Sequence, residues 1–111
     1  MNAIFQAKEM YRGAGLNFEQ DLGHYLTNGY VVSEPDRFIM FKPVRKDMGE
    51  RDWHPVNPDT WYVHVAVGKN ALKYFLSLAP YELPYLAWSR LRDAKNSFRV
   101  YSKERFARLV A

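Results

Sequence analysis

The stretch from Thr60 to Arg90, TWYVHVAVGKNALKYFLSLAPYELPYLAWSR, limits what this chain can fold into more than any other part of it. Trp61 to Val67 is rich in β-branched and aromatic residues and stops at Gly68, which is how a buried strand is bounded. Leu72, Phe75, Leu76 and Ala79 then recur at helical spacing until Pro80, which cannot continue a helix. Leu83 to Arg90 returns to a strand-like run. Strand, turn, helix and strand in so short a span form a βαβ unit able to nucleate a core. Val63, Val65, Leu72, Phe75, Leu76 and Leu86 are therefore expected to be almost fully buried. Strict alternation along the first strand puts Trp61, Val63, Val65 and Val67 on one face and Tyr62, His64 and Ala66 on the other.

With 111 residues there is material for one hydrophobic core, so residues 1–111 are read as a single domain. Hydrophobic residues at 48% and charged residues at 25% place the chain among folded globular proteins. Aromatics reach 16%, and large rings let a short chain bury enough area. Cysteine is absent, which excludes disulfides, thiolate catalysis and zinc sites of the cysteine type. The opening MNAIFQAKEMYRG lacks the basic and apolar regions of a secretory signal, and no apolar run reaches the length of a membrane span. A soluble, cytoplasmic protein is the expectation.

The remaining elements follow in order. Ile4, Ala7, Lys8 and Tyr11 share a helical stripe after Asn2, a capping residue, and Gly13 and Gly15 are expected to end that helix. Asn17 with Gln20 is a capping-box pattern, and Phe18, Leu22, Tyr25 and Leu26 give a second helix its apolar face before Asn28-Gly29 stops it. Tyr30–Ser33 and Arg37–Val44 flank Glu34-Pro35-Asp36 as a β-hairpin, and residues 45–59 form a long polar loop. Beyond the βαβ unit come a short strand, Ser97–Tyr101, and a last helix capped by Ser102. The order α-α-β-β-loop-β-α-β-β-α defines an α+β domain with a mixed sheet.

That order resembles the GCN5-related N-acetyltransferase (GNAT) fold without its first strand. The segment ALKYFLSLAPYELPYLAWSR also looks like small acetyltransferase-like proteins of phage and prophage genomes. In the family, the strand corresponding to Trp61–Val67 is the central one. A following Gln/Arg-x-x-Gly-x-Gly/Ala loop there binds the pyrophosphate of acetyl-CoA at a helix N-terminus. This chain has Gly68-Lys69-Asn70 at that place and lacks the diagnostic motif. The resemblance therefore implies the fold, with no cofactor expected and acetyl-CoA as the alternative.

Several residues carry possible chemistry. The turn Gly68, Lys69 and Asn70 either holds a phosphate or simply joins strand to helix. His64, in mid-strand, is the candidate catalytic group, since an imidazole can relay a proton; its alternative is a hydrogen-bonded histidine of the sheet. Asp52, Trp53, His54 and Asp59 include ligand types but match no metal-binding spacing, so no metal is expected. None of Ser33, Ser77, Ser89, Ser97 and Ser102 has the glycine context of a nucleophile elbow. Tyr81, Tyr85 and Trp88, framed by Pro80 and Pro84, either line a surface groove or complete the core.

The net charge of +4 is concentrated at one end. Residues 1–87 hold nine Lys/Arg against ten Asp/Glu, whereas residues 88–111 hold seven against two. Arg90, Arg92, Lys95, Arg99, Arg105 and Arg108 thus form the candidate surface for an anionic partner, either nucleic acid or an acidic protein. The sequence reads as a small acetyltransferase-like binding or accessory protein. An acyl-CoA-dependent N-acyltransferase and a nucleic-acid-binding protein are the alternatives.

Overall fold

The β-branched and aromatic run after residue 59 does form the central strand of a five-stranded mixed sheet. The computed structural model describes residues 2–43, 60–78, 85–91, 97 and 99–111. Helices α1 (Ala3–Ala14) and α2 (Phe18–Asn28) precede strands β1 (Tyr30–Glu34), β2 (Arg37–Pro43) and β3 (Thr60–Gly68). Helix α3 (Ala71–Leu78), strands β4 (Tyr85–Trp88) and β5 (Arg99–Ser102) and helix α4 (Lys103–Val110) follow among the described residues. This is the α+β element order read from the sequence. The strands lie in the order β1-β2-β3-β4-β5, and β3 and β4 are parallel while every other neighbouring pair is antiparallel. The long polar loop, Tyr81 and the metal-type residues Asp52, His54 and Asp59 lie outside the described residues.

Caps fix the helix ends. The Asn2 side chain accepts from the Ile4 and Phe5 N–H groups, Asn17 from Gln20 and Ser102 from Arg105, satisfying donors that a helix start leaves open. Gly13 stays inside α1, and the helix ends instead at Gly15, whose φ of 68° suits a left-handed cap.

Two apolar layers cover the two faces of the sheet. On one side, Ala3, Ala7 and Tyr11 of α1 and Phe18 and Tyr25 of α2 pack on Phe38, Met40, Val65 and Val67. On the other, Ala71 and Phe75 of α3 and Phe106 of α4 pack on Ile39, Phe41, Val63 and Leu86. Leu72 and Leu76, expected to be almost fully buried, are only half-buried. The short helix α3 turns one row, Ala71 and Phe75, squarely onto the sheet, and each of these leucines sits one residue further round. Leu26 likewise lies beyond the Phe18–Tyr25 row of α2 and is 65% exposed.

The strict alternation expected along β3 does not hold. Met40 pairs with Val65, but the next residue, Phe41, pairs with Val63, so His64 is an extra residue on β3. This bulge switches the faces: Trp61 and Val63 belong to the α3 side, and Val65 and Val67 to the α1–α2 side. Such a bulge re-aims side chains locally.

Candidate functional site

The bulge has a chemical consequence. His64 projects toward α2, where its Nε2 lies 3.0 Å from Asp21 Oδ2. Asp21 sits three residues after Phe18 and four before Tyr25, which places an acid on the inner edge of α2. The Tyr11 hydroxyl of α1 donates to the same carboxylate oxygen at 2.8 Å. On its other side the His64 ring has Nδ1 3.2 Å from the Tyr62 hydroxyl, which in turn lies 2.8 Å from Ser89 Oγ. The Tyr25 ring stacks on the imidazole at 5.2 Å and 19° between planes. Five side chains from α1, α2, β3 and the end of β4 thus make one connected polar network, with Tyr11, Tyr62, His64 and Ser89 all buried.

The network borders a cleft. The register between β3 and β4 ends at Val63 and Trp88, whereas β3 continues to Gly68. Where the strands part, a cleft of about 500 Å³ opens, lined by His64, Val65 and Ala66 on one side and Trp88, Ser89 and Arg90 on the other, with Glu9, Met10 and Gly13 of α1 as its wall. A second cleft of about 430 Å³ lies on the α3 side, and both are lined by Ala66 and Trp88.

The electrostatics follow from the hydrogen bonds. The bond from His64 is the main reason that the Asp21 carboxyl is held below the usual carboxylate range; Tyr11 adds to it, against an opposing effect of burial. Burial, then the bond to Asp21, pushes the Tyr11 phenol above its ordinary range. Beside the network, Lys42 Nζ lies 3.0 Å from His24 Nε2 and over the Tyr25 ring. Burial first, and the Lys42 ammonium next, hold the His24 imidazole below its usual range.

The two groups held below their usual ranges, Asp21 and His24, bind a proton more readily in the unfolded chain. Their contributions to stability are therefore present above their unfolded values and are lost as pH falls through the folded ones. Urea midpoints should decline on acidification from about pH 6.5, where unfolded histidine starts to charge, and decline again below about pH 4. His24→Gln should remove the upper step. A wild-type midpoint that stays constant between about pH 7 and about pH 5 would contradict the burial of His24 and its contact with Lys42.

The sequence-derived candidates divide as follows. His64 and Trp88 line the first cleft, with Arg90 at its exposed rim. Gly68 and Asn70 belong to the second cleft. Arg99, Arg105 and Arg108 are exposed on β5 and α4. Arg99 has the strand parity of Tyr101, which packs on Phe106 beneath α4, so these arginines belong to the α3–α4 side while Arg90 borders the cleft beside α1. Tyr85 lies on β4 opposite Thr60, and Arg92 and Lys95 are outside the described residues. Asp21 escaped the sequence reading, which placed Tyr11 in a helical stripe, Tyr62 on the face of His64 and Ser89 among serines without a nucleophile context, and joined none of them to a site. An acid among the apolar positions of α2, and a tyrosine two residues before His64, were the only signals available.

The turn after β3 is held closely against the hairpin. Gly68 has φ 108°, and a Cβ there would collide with the backbone carbonyl of Asp36 in the β1–β2 hairpin. The glycine is thus required by close packing of protein backbone. The next left-handed residue is Asn70, φ 55°.

Among the described residues no cluster of three or more His, Asp or Glu could hold a metal, and no helix is long and apolar enough to cross a membrane. No family model matches the chain, and neither the curated proteins nor the solved structures contain a match to it.

Proposed function

We propose that this domain is an acetyltransferase-like binding protein that holds a small amine-bearing ligand in the cleft between α1 and the parted ends of β3 and β4. The observation that carries this reading is the Asp21–His64 pair, half-buried at Asp21 and buried at His64, linked through Tyr62 to Ser89 on the cleft lining. A carboxylate held ionised against an imidazole stabilises a proton taken from a ligand. Met10, Trp88 and Leu91 on the cleft lining supply apolar surface for the organic part of the ligand.

One further observation favours a second reading, N-acyl transfer. The two clefts share Ala66 and Trp88, so a donor on the α3 side and an amine on the α1 side would meet where the strands part. The turn at Gly68 argues against a donor gripped by its diphosphate. Calorimetric titration separates the two readings. Acetyl-CoA is expected to bind no tighter than roughly millimolar, about −4 kcal/mol. Saturable micromolar binding that is lost on changing Lys69 would replace the binding-protein reading with the enzyme.

A further inference from the structure

The cations of this domain divide by what holds them. In residues 2–43 each is engaged: Lys8 lies over the Phe18 ring, Arg12 pairs with Glu9, Arg37 bonds Glu34 and covers Tyr74, and Lys42 meets His24 and Tyr25. From β3 onward the described residues carry seven Lys/Arg against one acid, Glu104. Among them, the side chains of Lys69, Lys73, Arg105 and Arg108 take part in no hydrogen bond or ion pair. Cations left without a protein partner on one side of a domain set up a field that attracts an anion.

These side chains gather at the second cleft. Lys73 is part of its lining, and Lys69 lies between Gly68 and Asn70, which line it too. Arg105 sits one helical turn before Leu109, a lining residue of α4, so the two are neighbours on that helix. Trp88, half-buried and also in the lining, has the exposed Arg99 as its partner across β4 and β5. On the same side of the sheet Glu34 is already paired with Arg37. Asp36, whose carbonyl meets Gly68, and Glu104 are the described acids left to oppose these cations.

We propose that this second cleft and its cationic rim bind single-stranded nucleic acid, with one base stacked on Trp88 and the adjoining phosphates met by Lys69, Lys73 and Arg105. Arg108, further along α4, extends the path of the strand. An aromatic ring set among cations matches a base flanked by phosphates, whereas an acidic peptide would use the cations and leave the ring idle. At about 430 Å³ the cleft admits an unstacked base, and a duplex keeps its bases stacked. The proposal does not depend on the amine reading, which concerns the other cleft.

Fluorescence anisotropy of a short labelled oligothymidylate titrated with the full chain tests this. Binding is expected at low salt, with the logarithm of affinity falling against that of salt by about 0.7 per phosphate met. Lys73→Gln and Arg105→Gln should each weaken binding and make that slope shallower by about 0.7. Lys8→Gln removes the same charge from the α1 side and should change neither. Trp88→Leu should weaken binding about 5- to 150-fold with the slope unchanged. Because Trp88 also packs on the core, the wild-type indole N–H signal of Trp88 is followed by NMR as well, and it should shift on adding the oligonucleotide. No binding by the wild type at low salt, an unmoved Trp88 signal, or an equal loss in Lys8→Gln overturns the proposal. Polyglutamate or duplex DNA bound as tightly as the single strand also overturns it, since the surface would then take anions without reading a base.

Discussion

Replacing Phe75 by alanine is expected to lower the stability of the domain by about 3–5 kcal/mol, the usual cost of emptying a buried phenylalanine site. Phe75 is fully buried and joins three elements. Its ring meets Phe41 of β2 edge-on at 5.1 Å and Phe106 of α4 at 6.1 Å. Collapse around the missing ring would have to move a helix on one side or the central sheet on the other, so much of the cavity should persist. Against a total stability of roughly 5–15 kcal/mol, the loss is a large fraction. Thermal unfolding should drop by more than about 10 °C. Leu76→Ala should cost visibly less, because Leu76 is half-buried. A melting temperature for Phe75→Ala equal to that of the wild type would mean that α3 does not pack as described.

Gly68→Ala should be the second most damaging substitution, and the same chemical change elsewhere should act in the opposite direction. At φ 108° an alanine is strained, at a cost of about 1–3 kcal/mol. Its Cβ would also collide with the Asp36 carbonyl, and neither backbone segment can yield without opening the contact between the hairpin and the start of α3. Gly13 lies inside α1 with nothing within 4 Å of a Cβ, so Gly13→Ala should raise stability by about 0.5–1 kcal/mol through helix propensity alone. Chemical denaturation of the two variants reads both signs in one experiment. Equal midpoints would show that the turn after β3 is looser than its geometry implies.

How much of this was legible in the chain varies from element to element. The order of the described elements could be read because each signal is local: a cap at Asn2, Asn17 or Ser102, a helical stripe through Ala7 and Tyr11, a β-branched run closed by Gly68. The burial of Phe75 and Leu86 could be read for the same reason. Leu72 and Leu76 could not be ranked, since periodicity gives a helix an apolar side but not the one row that meets the sheet. Of the site, His64 was visible as an ionisable residue in an apolar strand. Its partners were not, because Asp21 is 43 residues away in sequence and Ser89 lies 27 residues beyond Tyr62.

What the sequence by itself determined is the set of elements, their order and the class of the fold, all of which follow from short-range sterics and the spacing of apolar residues. What only the tertiary structure decided is the chemistry. A strand inserts one residue in response to its neighbour, and the extra residue at His64 flips the faces of Val63 and Val65 relative to strict alternation. A carboxylate, an imidazole, two phenols and a hydroxyl become one network only when α1, α2, β3 and the end of β4 close around a common point. Such long-range pairing is set by how whole elements pack, and no local pattern of residues encodes it.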